Sequence, residues 1–504
     1  IHDTTYALKR ISAETGGNAN LNFIDRFKIN QNLTPTKAGP WLPSKTRVLV
    51  DVAEVTKKTF GMLGKFYVSN KKFVTNQPKN PEFYNEDIVR SKDYQSHTDT
   101  FWEQNRHGKL TSMEQRVFKT VDSIRNMPVV KSYVEVVETI VNGYLDLGQV
   151  EVGPYILLYG NNVVEGHRFR IGARTDEDFS EHWIFSGYLA YGTKDRTFKY
   201  DLQAETFLSR ESWTKIGVQH KYDLEGLGVY EDFFQTNNLF QFSSQIGLVD
   251  RFNRIRLNRF WIQSDLFKGF SQRAFVVTRN FNPKGDYIFA YQNPAEDYEK
   301  SSQFKTSEIT LESRYAPQEK TVINGNQRVK LRSEKAPVFT LRYTMGVKDL
   351  FGGDFEYHKA SLNIEQDLNL GPLGRGHYDI TGQKIFDRLP YPLLNILPGN
   401  ETFIRSNNTY NLMNFYEFIA DKSVEVSYTQ HFDGFIMNRL PLLKHLRWRL
   451  VGSAKAALGD YSEQNDKYIP EFNRHNEAVT YDFKELQPDK PYVEVSYGFE
   501  NILR

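Results

Sequence analysis

Between Val164 and Leu208 the chain alternates apolar and polar residues with a period of two. Phe198, Tyr200, Leu202, Ala204, Thr206 and Leu208 fall on one side of an extended segment, and Lys199, Asp201, Gln203 and Glu205 on the other. The preceding run sets Phe169, Ile171 and Ala173 against Arg168, Arg170 and Arg174. Turn-forming stretches, Thr175–Asp178 and Gly192–Asp195, punctuate the pattern. The alternation returns at Ile309 and Leu311, at Ala360, Leu362 and Ile364, at Leu446, Trp448 and Leu450 on to Ala454 and Ala456, and at Val493, Val495, Tyr497 and Phe499. Strands in soluble sandwiches usually run about five or six residues. Several of these runs reach the roughly ten that a tilted strand needs to cross a bilayer.

The pattern predicts an all-β chain: a transmembrane antiparallel β-barrel over residues 151–504. At roughly 20–24 residues per strand and connection, that length provides about fifteen to eighteen strands, with sixteen as the central value. The end at Arg504 leads us to expect a further strand beyond it. Four connections are long, 225–250, 280–303, 388–411 and 460–490, as expected of loops on one face of a barrel. One of them holds Pro390, Tyr391, Pro392, Leu393, Leu394 and Ile396, too apolar to lie uncovered in water, so it either plugs the lumen or packs on a partner.

The earlier residues read as a small soluble mixed α/β part. Residues 1–111 look irregular and partly extended, with one strand, Arg47–Val55. Residues 112–150 hold two short amphipathic helices. The first opens on a Thr111–Glu114 capping box, carries Met113, Val117, Val121 and Ile124 on one stripe, and stops at Pro128. The second runs from Lys131 to about Asn142.

Composition narrows the function. Lys and Arg number 64 against 62 Asp and Glu, which leaves no basic footprint for nucleic acid. With 0 Cys there is no thiolate chemistry, Cys-bound metal or disulfide. The chain carries 29 Tyr and 37 Phe and has no apolar run of roughly twenty residues, so any membrane signal resides in the alternation. No zinc-protease, nucleophile-elbow, phosphate-loop or calcium-loop motif occurs. Ser423, Glu425, Ser427, Thr429 and His431 share a strand face, and lumen lining explains them better than a hydrolase does. We therefore expect no catalytic activity, cofactor or metal; the acidic turn Asp176–Asp178 is read as a hydrophilic turn. Arg168, Arg170 and Arg174 either bias a pore toward anions, bind lipopolysaccharide phosphates at a rim, or pair with lumen carboxylates such as Asp201 and Glu205.

A set of ordered blocks resembles a family of outer-membrane proteins of uncharacterised function often labelled "carboxypeptidase regulatory-like domain-containing protein". These are Phe101–Trp102 with Arg106, Leu110–Thr111 and Glu114; Val164–Gly166 with Arg168, Arg170, Gly172 and Arg174; and Gly187–Tyr188, Ala190–Gly192, Lys194–Asp195 and Lys199–Tyr200. Arg314–Pro317, Asn438–Trp448, Lys490–Glu494 and Glu500–Asn501 continue the series to the end of the chain. The label refers to an upstream β-sandwich domain and implies no peptidase activity. The barrel half is in turn similar to the surface-antigen class of sixteen-stranded barrels, which fold other barrels or translocate polypeptides. That class tucks an Arg-Gly-aromatic loop into its lumen, and Arg375–Gly376–His377 is the nearest match. The resemblance implies a bacterial outer-membrane location with the N-terminal part in the periplasm. It also implies contact with outer-membrane lipids, lipopolysaccharide and other envelope proteins, and a role in envelope biogenesis, as an assembly or translocation factor or a subunit of a complex. The alternative is a gated or plugged pore for solutes.

Overall fold

The computed structural model describes residues 2–15, 24–52, 62–78, 97–106, 110, 112–125, 127, 139, 142–227, 251–284, 289–293, 296–301, 303–331, 335–401, 405–446, 448–462, 465 and 484–502. The first elements form an antiparallel sheet in chain order, β1 (Arg10–Glu14), β2 (Ile24–Pro35), β3 (Trp41–Val52) and β4 (Met62–Ser69). This corrects the irregular segment expected there. The register stacks Ile29, Val48 and Phe66 across three strands, and Phe27 beside Val50, so one face is apolar. Asn30, Gln31 and Asn32 disguise β2 as loop in the linear pattern, although each takes a place in the ladder. The expected strand Arg47–Val55 is the end of β3; residues 53–55 lie outside the described residues.

Helix α1 (Asp99–Asn105) was not expected. It is seven residues long with adjacent Phe101 and Trp102 as its apolar content, too short to show a helical stripe, and Thr98 caps it by accepting from the Phe101 N–H at 3.4 Å. Helix α2 (Ser112–Arg125) follows the predicted first helix, whose Thr111 cap lies outside the described residues. So does nearly all of the predicted helix at 131–142.

The rest of the chain builds the large sheet. Its strands are β5 (Leu145–Asp146), β6 (Val150–Val152), β7 (Tyr159–Asn162), β8 (Gly166–Thr175), β9 (Trp183–Gly192), β10 (Phe198–Ser209), β11 (Thr214–Gly226), β12 (Phe252–Phe267) and β13 (Phe270–Lys284). After a hairpin β14 (Phe289–Asn293) and β15 (Glu296–Ser301) come β16 (Phe304–Tyr315), a second hairpin β17 (Lys320–Asn324) and β18 (Gln327–Leu331), then β19 (Val338–Gly346), β20 (Tyr357–Asn369) and β21 (Arg375–Ile385). The short β22 (Asn395–Ile396) and β23 (Phe418–Ala420) precede β24 (Lys422–His431) and β25 (Arg449–Asp460), and the short β26 (Lys484–Glu485) precedes β27 (Tyr492–Glu500).

Sixteen strands form one sheet in which successive members pair antiparallel, from β5 and β6 with β7 at one edge to β27 at the other. The fold class is thus the expected one, a barrel-type up-and-down sheet of sixteen strands after an N-terminal part with two helices. Three strands, β5, β6 and β7, are short. The sheet is not closed by pairing of β27 with the first strands among the described residues. It curls nonetheless, since the connection from β16 to β19 touches the β8–β9 turn, where the Asn326 amide donates to the Ser180 carbonyl at 2.9 Å.

The two faces are inverted relative to a water-soluble protein. Outward positions are apolar and exposed, including Phe169, Ile171, Leu189, Leu202, Val218, Phe260, Leu311, Leu341, Val424 and Val495. Inward positions are polar and buried, including Arg168, Lys199, Asp201, Gln219, Lys221, Asp223, Glu312 and Lys455. Two inward glycines make room for rings across the register: a side chain at Gly217 would run into Trp261, and one at Gly346 into Tyr357. Among the described residues no helix is long and apolar enough to cross a membrane.

The ends differ. The β8–β9, β10–β11, β12–β13 and β20–β21 turns are short and share one end, where β6 also pairs with the last residues of β8 and the N-terminal part enters. The connections 227–251, 285–303, 386–421 and 461–491 all open at the other end.

Candidate functional site in the lumen

The inward alternation of β8 delivers the expected arginines to one lumen wall, and the structure answers each differently. Arg168 is buried and bidentate to Asp223 on β11, at 2.7 and 2.8 Å, with Glu165 at 2.8 Å. Tyr188 donates to the same Asp223 carboxylate. Lys199, fully buried, joins the cluster through Glu165 at 2.7 Å and Asp195 at 2.8 Å. Arg174 pairs with Glu151 on β6 and lies over the Tyr144 ring at 3.9 Å. Arg170 lies over the Tyr188 ring at 3.7 Å.

The partners are not those expected. Asp201 accepts from Gln219 at 2.9 and 3.1 Å, and Glu205 meets Lys215 at 3.4 Å; neither meets an arginine of β8. The reason is geometric: partners lie one to three strands away at the same height, and that height depends on turn lengths which alternation does not encode. Glu165, Asp223 and Lys199 were missed as site residues. The Val164–Gly166 block of the family resemblance was the available signal.

At the long-loop end, the described residues of the β21–β24 connection, 386–401 and 405–421, fold into the lumen. Leu389 and Tyr391 are fully buried, Leu393 and Leu394 nearly so, Pro392 is buried and Ile396 is partly buried. They pack on inward residues of five strands, among them Ile255, Leu257, Phe281, Phe304, Tyr357 and Ile385. Pro390 gives its carbonyl to the Leu393 N–H at 2.8 Å, closing the tight turn that carries Tyr391 inward. The wall also holds the loop by polar contacts: Lys359 on β20 donates to the Leu393 carbonyl at 2.7 Å, and Glu494 on β27 accepts from the Leu412 N–H at 2.9 Å. Lys455 on β25 donates to the Ser406 and Thr409 carbonyls. These lysines were not anticipated, because an inward lysine in a dyad strand looks the same whether it faces water or a loop carbonyl.

At the short-turn end the β17–β18 hairpin folds back over the mouth. Arg210 donates to Asn326, Arg328 pairs with Asp265, and Arg314 is bidentate to Glu319 at 2.7 Å. Between hairpin and wall lies a chamber of about 880 Å³ lined by Arg170, Arg174, Asp201, Glu205, Lys215, Arg273, Arg328 and Lys330 with others.

Arg375–Gly376–His377 is not a lumen loop. It opens β21 at the short-turn end, pairing with β20 and β24, and His377 meets Asp367 at 2.7 Å. The Ser423–His431 series does line one inward strand face, but Ser423 and His431 are eight residues apart on a straight strand, about 26 Å. Ser423 and His431 therefore do not come within hydrogen-bond reach of each other.

Residues 276–469, fewer than half of the chain, match the family described as "Family of unknown function (DUF5686) C-terminal domain". No curated protein matches. Among solved structures, BamA from Haemophilus ducreyi lacking POTRA domains 1–3 is similar at 9% identity and a TM-score of 0.37, over 61% of this chain and 57% of that one.

Proposed function

We propose that the protein is an integral outer-membrane barrel acting in envelope biogenesis, as an assembly or translocation factor or as a non-catalytic subunit of an outer-membrane complex. The observation that carries this reading is the filled lumen. A wall apolar outside and charged inside suits a bilayer, yet the Leu389–Leu394 stretch occupies the passage with fully buried Leu389 and Tyr391, so free solute flow is not what this geometry favours. Entry of the N-terminal part at the short-turn end supports its placement in the periplasm, where a four-stranded sheet is available to other envelope proteins. Contact with lipid and lipopolysaccharide follows from the apolar belt in the same reading. The finer kinship, to the family labelled "carboxypeptidase regulatory-like domain-containing protein", belongs to this proposal, because its blocks extend well outside the matched stretch 276–469.

The test is a quantitative outer-membrane proteome after depletion of the protein. A joint fall of unrelated barrels or surface lipoproteins is the expected result. Levels that hold steady would sink the biogenesis reading.

A further inference from the structure

The chamber beneath the β17–β18 hairpin is lined by many charges, and most are answered within the protein. Arg174 has Glu151, Lys215 has Glu205, Arg328 has Asp265, and Asp201 has Gln219. Two cations stand apart among the described residues. Arg170 makes no side-chain hydrogen bond and no ion pair; its guanidinium rests only on the Tyr188 ring, at 3.7 Å. Lys330 has no carboxylate within ion-pair reach; Arg314, Arg273 and Arg328 oppose its charge, and Glu319, farther than an ion pair, offsets them only in part. The Nε atoms of Arg170, Arg273 and Arg328 are each buried without a hydrogen-bond partner, and all three residues line the same chamber.

Arg170 is half-buried and Lys330 exposed, and each lacks the counter-charge that Arg168 finds in two carboxylates. Stacking on Tyr188 fixes the plane of Arg170 and leaves its N–H edges directed for a two-point contact with a planar or tetrahedral oxyanion. The volume, about 880 Å³, lies within the range of small-molecule sites, roughly 300–1,000 Å³. Asp176, Glu177 and Asp178 on the β8–β9 turn line the same chamber, so an anionic group is favoured at Arg170 rather than beside that turn.

We infer that this chamber binds a small oxyanionic solute, bearing carboxylate or phosphate, with Arg170 as its principal contact and Lys330 on the hairpin as its second. The hairpin then both covers the solute and contributes a charge to it. Desolvation of its ammonium, and next the Arg314 charge, hold Lys330 below the ordinary lysine range although the residue as a whole is exposed, so its share of the binding weakens at a lower pH than for an isolated lysine. The inference rests on the lumen geometry, not on the biogenesis reading, and stands or falls separately from it.

Calorimetry on the full chain in detergent, with inorganic phosphate and citrate as separate probes, tests it. At least one probe should bind; which of the two binds tighter distinguishes a phosphate from a carboxylate ligand. Arg170→Gln should weaken binding about tenfold or more, Arg170→Lys less, and Lys330→Gln a few-fold, with heat-modifiable gel migration unchanged. Binding of neither probe, or unchanged affinity in Arg170→Gln, overturns the inference. Should Arg170→Gln fail to fold, unchanged affinity in both Arg170→Lys and Lys330→Gln overturns it equally.

Discussion

A single inward residue in this barrel is defined less by its own type than by what its neighbours return to it. Arg168, Arg170 and Arg174 are two or four positions apart on one strand face, yet the first is locked by Asp223 and Glu165, the third by Glu151, and the second by an aromatic ring alone. Their direction was legible in the sequence because a period of two leaves no choice of face. Their partners were not, because pairing across three strands needs the register, and the register is set by turn geometry rather than by composition. The lock at Arg168 makes a clear prediction. Arg168→Gln or Asp223→Asn leaves one buried charge without its opposite, which costs about 3–5 kcal/mol and should lower the temperature at which the barrel loses its heat-modifiable gel shift. The double variant Arg168→Met with Asp223→Leu should recover much of that loss. Equal midpoints for wild type and single variants would show that the cluster is not buried in the folded protein.

Among the elements, the loop from β21 to β24 departs furthest from its surroundings. Its run of Pro, Tyr and Leu was conspicuous in the sequence because nothing else between two polar-flanked strands is so apolar, but whether it turned inward or toward a partner required the lumen wall. Ile255, Leu257, Phe281 and Phe304 are the inward apolar positions that receive it, and in sequence they look like irregularities in a charged face. The β17–β18 hairpin was missed although Asn324–Gly325 between Val322–Ile323 and Val329 is a hairpin signal; what the sequence could not show is its grip on Ser180 and Asp265, which comes from across the barrel. Removing the Tyr391 side chain empties a fully buried position, which on core precedents costs about 3–5 kcal/mol. Tyr391→Ala combined with Lys359→Met is expected to raise single-channel conductance in planar bilayers from near zero to discrete openings; a silent double variant would mean that another segment closes the lumen. The loop also has a pH-dependent tether. The Lys484 ammonium beside Glu417, at 2.5 Å, together with the Asn414 N–H, outweighs burial and holds the Glu417 carboxyl below the ordinary carboxylate range. A carboxyl depressed on folding adds stability that is full above its unfolded value and is lost as pH falls through the folded one. Hydrogen-exchange protection of Phe418–Ala420, corrected for intrinsic rates, should therefore hold steady above about pH 4.5 and fall below it. Protection unchanged down to strong acid would remove the tether from the account.

For the molecule as a whole, the decisive property is the inversion of its two faces, and that inversion was legible almost strand by strand. Leu202 outward and Gln203 inward on β10, or Val424 outward and Ser423 inward on β24, follow from the period alone. So did the four long connections, which the sheet gathers at one end. The N-terminal sheet escaped because its polar ladder residues imitate loop, and only cross-strand stacking of Ile29, Val48 and Phe66 reveals it. The inversion carries its own test, since a soluble β-protein and a bilayer-spanning one respond oppositely to a charge on the exposed face. Placing a charge on an exposed position normally changes little in water, whereas an arginine facing lipid near the midplane costs about 2–4 kcal/mol. Leu189→Arg and Val218→Arg, both exposed and outward, should each impair spontaneous insertion into phospholipid vesicles and reduce the folded fraction. Gln203→Arg, one residue from Leu202 but on the lumen side, should insert nearly as well as wild type. If the three variants insert alike, the apolar belt does not face lipid, and the exposed residues would have to be covered by protein instead.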